Sequence, residues 1–73
     1  MELTPQTVIG DVIKAYPKVV DLLSEINPMF GMINTIMGKQ MAKVATLEMM
    51  AYRGDLPVEV LIEKLQEFIN NQE

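Results

Sequence analysis

The glutamates of the last third of the chain are the first candidates for chemistry. Glu59, Glu63 and Glu67 recur at every fourth residue, so a helix places them one turn apart on one face. Such a ladder could bind a divalent cation, because Ca²⁺ and Mg²⁺ prefer oxygen ligands. A carboxylate site, however, needs burial and ligands from more than one helix. We therefore expect a solvated polar face and no metal site.

Nucleophilic and acid–base catalysis lack their usual residues. The chain has no histidine and no cysteine, and Ser24 is its only serine. A serine nucleophile needs a neighbouring base to activate it, and structural zinc is held by Cys and His. The sequence by itself does not reveal a function, but it predicts a protein that is not an enzyme and carries no cofactor.

A short basic segment in the middle of the chain could contact phosphate. Gly38-Lys39-Gln40 resembles the end of a phosphate loop, but its spacing from Gly31 is wrong and Ser or Thr is missing at Gln40. Lys39 and Lys43 form a small basic spot, whereas single-strand binding needs several contacts and stacking aromatics. The net charge of −4 disfavours nucleic acid and anionic membranes. We expect neither as a partner.

Methionine is the anomaly of the composition. Six of the seven methionines fall between positions 29 and 50, and Met suits both irregular cores and adaptable binding surfaces. Packing in the core is the first expectation, an adaptable partner groove the second, and a copper(I) site made of thioethers the third. Because two of them are adjacent, one of that pair should point to solvent. The six are Met29, Met32, Met37, Met41, Met49 and Met50.

Helices must position these residues, because apolar side chains recur three and four residues apart and no alternating strand pattern is present. We predict an all-α domain, a compact orthogonal bundle of about five short helices with no sheet. One domain spans 1–73, with helices at roughly 7–16, 17–26, 29–43 (broken near 33), 47–53 and 57–69.

Local signals predict how these helices begin and end. The expected N-caps are Thr4 or Thr7, Asn34, Thr46, and Asp55 or Leu56; Gly54 is the expected stop of the fourth helix. Gly38 inside the third helix predicts close packing or a bend. Residues 70–73 should fray.

The beginning of the chain and its hydropathy predict the compartment. No apolar run reaches the roughly 20 residues that cross a bilayer. Residues 1–5 show neither a basic start nor an apolar signal core. We expect a cytoplasmic protein.

An ordered series of short stretches resembles the bacterial and archaeal domain of unknown function 1858 family over nearly the whole chain. That resemblance implies a compact bundle of about five short helices, with no assigned reaction. Similar domains occur alone or attached to sensory and haemerythrin-like modules, which implies an accessory role in regulation. The stretches are Thr7-Val8-Ile9-Gly10-Asp11-Val12, Tyr16-Pro17, Asn27-Pro28-Met29-Phe30-Gly31, Ala42-Lys43-Val44-Ala45-Thr46-Leu47 and Gly54-Asp55-Leu56-Pro57-Val58-Glu59-Val60-Leu61.

A related domain, associated with hybrid-cluster proteins, carries a Cys-x-Gly-Cys pair after its second helix. The corresponding stretch here is Met29-Phe30-Gly31-Met32, which keeps the spacing and the glycine but has no thiol. A thioether cannot form a disulfide or ionise to a thiolate. The redox chemistry of the related domain therefore does not carry over to this chain.

Two functional hypotheses follow. The first is a helical interaction module that binds a protein partner, or a second copy as a homodimer. Its site would be Met29, Phe30, Met32, Ile33 and Met37. The alternative is a small-ligand or metal-binding module with a pocket near Gly31. A third reading is a domain that only packs, with a role set by its cellular context.

Overall fold

The chain folds into six helical elements joined by short turns. The computed structural model describes residues 1–73 except for the side chain of Asn34. Five elements are α-helices and one, η1, is a 3₁₀ helix. The elements are α1 (Ile9–Ala15), α2 (Val19–Ile26), η1 (Pro28–Asn34), α3 (Ile36–Ala42), α4 (Leu47–Arg53) and α5 (Val58–Gln72). The prediction of an all-α domain is confirmed.

The middle of the chain differs most from the predicted helices. Its first half is a 3₁₀ helix, and the break falls at Thr35 rather than near residue 33. The N-cap of α3 is Thr35, whose Oγ1 accepts from the Gly38 amide at 3.0 Å and donates to the Met32 carbonyl at 2.7 Å. The expected cap, Asn34, has its side chain outside the described part of the structure. One hydroxyl thus ends η1 and starts α3.

The first turn of α1 is capped by backbone rather than by the predicted Thr4 or Thr7 side chain. Its N-cap is Val8, which pairs with Thr46 in an isolated antiparallel bridge. The Ile9 amide donates to the Ala45 carbonyl at 2.9 Å, and the Leu47 amide donates to the Thr7 carbonyl at 2.9 Å. Each bond satisfies an amide that a helix leaves free in its first turn. The starts of α1 and α4 therefore hold each other.

The turn between α4 and α5 places the left-handed residue one position later than the glycine. Gly54 is the C-cap with φ −84°, whereas Asp55 has φ +57°. The Leu56 amide donates to Ala51 at 3.1 Å and the Asp55 amide to Tyr52 at 3.3 Å, which is the Schellman pattern. The N-cap of α5 is Pro57, so the expectation of Asp55 or Leu56 is wrong.

The fifth helix is longer than predicted. It continues past residue 69 to Gln72, whereas the fraying expected for residues 70–73 stays a prediction. The N-terminal segment lies against it: the Leu3 amide donates to Gln66 Oε1 at 3.0 Å, and Gln66 Nε2 donates to the Met1 carbonyl at 2.8 Å. These bonds tie the segment before α1 to α5.

The core is mainly aliphatic and draws on every helical element. Its fully buried side chains come mainly from α1, α2, α4 and α5, and α3 contributes only Ala42. No polar side chain in the described part of the structure is fully buried. None of the described helices is both long enough and apolar enough to cross a membrane. The largest fully buried side chains are Ile9, Val12, Val19, Leu23, Leu47, Leu61, Leu65 and Ile69.

Candidate functional site

An apolar groove of about 530 Å³ runs between η1, α3 and α4. This size lies within the range of known ligand pockets. We call it the methionine groove, because all six methionines of the middle segment line it. The other lining residues are Ile9, Phe30, Ile33, Thr35, Ile36, Gly38, Ala42, Ala45 and Arg53.

The base of the methionine groove belongs to the core. Phe30 is 5% exposed and Met50 is 6% exposed, and both are members of the buried core cluster. Ile9 and Ala42, which are also buried, line the groove beside them. The floor of the groove is therefore part of the folded core.

The walls of the groove are exposed. Met32 is 63% exposed, Met37 is 78% exposed and Ile36 is 83% exposed. Met29 and Met49 are each 43% exposed, so both η1 and α4 contribute. Contiguous exposed apolar surface on a small protein marks an interaction site more often than a scattered apolar residue does. The long, unbranched methionines can adjust to the shape of an occupant.

The 3₁₀ geometry of η1 brings two of these methionines together. A 3₁₀ helix has about three residues per turn, so side chains at i and i+3 eclipse. Met29 and Met32 have this spacing, and both line the groove. The Asn27 side chain caps η1, since its Oδ1 accepts from the Met29 amide at 3.0 Å and its Nδ2 donates to the Gly54 carbonyl at 3.4 Å. Asn27 thereby links the η1 wall to the end of the α4 wall.

Gly38 sets the distance between α3 and η1. A Cβ at this position would lie 1.8 Å from the Met32 carbonyl oxygen and 2.7 Å from the Ile33 Cα. Only glycine allows this contact between backbones, so the predicted close packing at Gly38 is confirmed. Gly10 has a similar role at the other end of α3, where a Cβ would lie 2.7 Å from the Ala42 carbonyl oxygen.

Gly54 leaves room for the aromatic floor. A Cβ there would lie 2.6 Å from Phe30 Cζ and 2.8 Å from Leu56 Cδ2. Because Asp55 takes the left-handed conformation, Gly54 is needed for space rather than for its φ angle. The ring that closes the base of the groove thus depends on a residue of the α4–α5 turn.

The five residues predicted as a binding site all line the methionine groove. Met29, Met32 and Met37 are exposed, Ile33 is half-buried and Phe30 is buried. Binding at these residues stays a prediction. Sequence reasoning missed other lining residues, mainly Ile36, Thr35 and Arg53. Met41 and Met49 were signalled only by the general excess of methionine.

The first expectation for the methionines, packing in the core, is wrong for five of the six. Only Met50 is buried, while the other five are between 43% and 78% exposed. The expectation that one of Met49 and Met50 faces solvent is confirmed. The large side chains of α3 are exposed because α3 contacts its neighbours through its small residues, Gly38 and Ala42.

The other candidates for chemistry remain apart. Glu59, Glu63 and Glu67 are all exposed along α5, and no three acidic side chains in the described residues are grouped to hold a metal. Ser24 packs near Gly31, whose added Cβ would lie 3.2 Å from Ser24 Oγ. Gly31 itself does not line the groove, although its neighbours Phe30 and Met32 do.

The resolved pKa shifts lie at the surface, outside the groove. The Tyr16 hydroxyl donates to Glu73, which raises the pKa of Tyr16. The same bond, together with the Met1 amino group 2.9 Å away, lowers the pKa of Glu73. This cluster joins the end of α1 to the end of α5 and has a structural role.

Comparison with known proteins gives a match to a family model. No curated protein and no solved structure matches the chain. The model of a single family, described as Domain of unknown function (DUF1858), matches residues 3–62. The matched range includes the whole methionine groove and ends within α5. The chain belongs to the DUF1858 family, as its ordered motifs predict.

Proposed function

We propose that the domain is a non-catalytic docking module whose methionine groove binds an apolar segment of a protein partner. The observation that carries this proposal is the groove itself: about 530 Å³, with a buried aromatic floor and five exposed methionines. Burial of apolar surface contributes about 25 cal/mol per Å². Covering side chains such as Met32 and Met37 would therefore contribute substantially to binding.

The interior of the domain supports the same proposal. The buried core is complete without the exposed methionines, so their size and number have no evident role in folding. Methionine-rich grooves accept varied apolar side chains because the thioether is flexible and polarizable. An accessory module that docks onto other proteins needs such a surface and needs no reactive group.

The test compares binding by the native domain with binding by a groove variant. Met32→Asp and Met37→Asp together place charges on the η1 and α3 walls, and both positions are exposed, so the fold should survive. Tyr52→Asp is the matched control, because Tyr52 is 88% exposed and does not line the groove. Quantitative affinity capture, followed by binding of the purified partner, should show loss only with the groove variant.

A photo-crosslinker adds the location of the contact. Benzoylphenylalanine at position 37 should crosslink to the purified partner, whereas the same group at position 52 should not. Equal crosslinking from both positions, or a partner that binds the Met32→Asp, Met37→Asp variant as tightly as the native chain, would refute the proposal. Concentration-dependent dimerisation that the groove variant abolishes would identify the occupant as a second copy.

A second candidate function is the binding of a small ligand or of copper(I). The convergence of six thioethers in one groove favours it, since soft metals bind thioether sulfur. Titration with copper(I) against a chelator of known affinity should then give a stoichiometric complex that Met29→Leu and Met32→Leu weaken. A flat titration would count against this candidate and leave the docking proposal unaffected.

A further inference from the structure

The methionine groove contains one charged residue, Arg53, among its lining residues. Arg53 lies in the last turn of α4 and is exposed. It makes no ion pair with any side chain that the structure describes. A guanidinium presents several donors in a planar fork that matches a carboxylate. An apolar occupant of this groove therefore gains an ion pair if it carries a carboxylate next to Arg53.

The distribution of charge along the chain points in the same direction. Residues 27–47, which supply η1 and α3, contain Lys39 and Lys43 and no acid. All ten acidic residues of the chain lie outside this segment. Four of the six basic residues also lie outside it. Residues 27–47 thus carry only positive side-chain charges, in a protein of net charge −4. Complementary potentials direct a partner to one face and repel it from the others.

The shape of the groove selects among peptide conformations. Apart from Thr35 and Ala45, its lining residues belong to helices, and they offer no unpaired strand edge to which an extended peptide could add. Recognition must then use side chains alone. An amphipathic helix meets this condition, because its apolar residues at i, i+3 or i+4, and i+7 enter one groove.

A second copy of the chain fits this groove poorly. A symmetric dimer places the same patch against itself, so the acid-free segment with its two lysines would face an identical segment. Like charges brought together in this way repel. The acidic helix α5 is not available as the occupant, since its apolar face is buried in the core.

We infer that the partner segment is an acidic amphipathic helix, with apolar side chains against the methionines and a carboxylate paired with Arg53. This inference rests on the proposed docking function and adds the chemistry of the partner. The pair is partly exposed, and such pairs contribute about 0.2–1 kcal/mol. Its loss should weaken binding by up to about five-fold.

The experiment selects helical peptides on the immobilised domain. A phage-displayed library of helices of about 14 residues, or four turns, is suitable. We expect enrichment of Leu, Ile, Phe or Met at helical spacing, with Asp or Glu enriched at one adjoining position. The best peptide is then synthesised with Glu, Gln or Lys at that position, and its dissociation constant is measured at two salt concentrations.

Charge exchange at Arg53 gives the decisive comparison. Arg53→Glu should weaken binding of the acidic peptide by about ten-fold. It should restore binding of the peptide that carries Lys at the same position. Lys14→Glu is the matched control: Lys14 is an exposed cation in the last turn of α1, outside the groove, and its exchange should leave binding unchanged. Arg53→Gln and the Gln peptide complete a double-mutant cycle. This cycle remains informative even if Arg53→Glu does not fold.

The outcomes separate the two proposals. Apolar peptides without acid enrichment, whose affinity is the same for native and Arg53→Glu domains, would overturn this inference and leave the docking function intact. Failure to enrich any apolar peptide would overturn both. Dimerisation through the groove in sedimentation experiments would overturn the inference by making a second copy the occupant.

Discussion

Helices α3 and α5 show opposite uses of apolar side chains. On α5, Leu61, Leu65 and Ile69 are completely buried and the charged residues face solvent. On α3, Ile36 and Met37 are about four-fifths exposed, and the buried residue is Ala42. The same type of side chain thus stabilises the fold in one helix and forms an open surface in the other. The α3 surface is available for a function that the α5 surface cannot have.

The largest expected effect is the difference in stability between shortening a buried side chain on α5 and shortening an exposed one on α3. Leu65→Ala removes a fully buried side chain and should lower the free energy of unfolding by about 2–5 kcal/mol. Met37→Ala removes an exposed one and should change it by less than about 0.5 kcal/mol. Urea denaturation followed by circular dichroism measures both. Similar losses for the two variants would show that α3 packs as α5 does.

If Leu65→Ala leaves no folded baseline, a milder pair serves the same purpose. Ile69→Val removes one buried methylene and should cost about 0.5–1.5 kcal/mol. Val44→Ala, at a residue that is 70% exposed, is its control and should have almost no effect.

The second prediction concerns the contact between α3 and η1. Gly38→Ala would place a methyl group 1.8 Å from the Met32 carbonyl oxygen and should cost about 1–3 kcal/mol as the two elements separate. Gly31→Ala is the control, because its nearest neighbour, Ser24 Oγ, lies 3.2 Å away and can adjust. NMR shifts of the methionine methyl groups should change across the groove in Gly38→Ala only. An undisturbed groove would contradict the role given to Gly38.

The third prediction tests the turn that leads into α5. Asp55 has φ +57°, a conformation that glycine adopts with less strain. Asp55→Gly should therefore raise the free energy of unfolding by up to about 1 kcal/mol. Gly54→Ala should lower it, since the added methyl would meet Phe30 at 2.6 Å. Thermal denaturation gives the direction, and a destabilised Asp55→Gly would contradict the explanation.

The smallest effect is expected at the surface cluster of Tyr16 and Glu73. The hydrogen bond lowers the pKa of Glu73, so its contribution is present at neutral pH and is lost as the pH falls through the lowered pKa. Tyr16→Phe should raise the pKa of Glu73 toward its ordinary value. The stability difference between variant and native chain should then disappear in acid. An NMR titration of the Glu73 carboxyl carbon measures the shift, and an unchanged pKa would contradict the assigned bond.

Local signals predicted α5 well and α3 poorly, for a physical reason. In α5 the large apolar side chains, except Val60, which is 38% exposed, occupy one face, so burial has one solution. In α3 the large apolar residues compete with a face of small residues, Gly38 and Ala42, for contact with the domain. Close approach of backbones needs small residues, and the distances at Gly38 show that this contact prevails. A pattern of hydrophobicity alone does not rank these two options.

For the candidate site, too, the sequence predicted some residues and missed others. The excess of methionine drew attention to the correct segment, and all five residues predicted from it line the groove. Arg53 carried no local signal, because it lies on α4 and reaches the groove only after α4 packs beside η1. The sequence likewise did not predict the N-caps at Val8 and Pro57. Backbone from another segment stabilises the start of α1, and neither N-cap uses a side-chain hydrogen bond.

By itself the sequence determined the helical class, the absence of histidine and thiol chemistry, the face that α5 buries and the family of the chain. These properties follow from residue types and from spacing along the chain, which local geometry fixes. Only the tertiary structure decided which side of α3 faces solvent, that six methionines share one groove, and that Arg53 lies among them. Those properties depend on close contacts of Gly10 with Ala42 and of Gly54 with Phe30, which are distant in sequence and which no local pattern specifies, and on η1 as the neighbour that Gly38 meets.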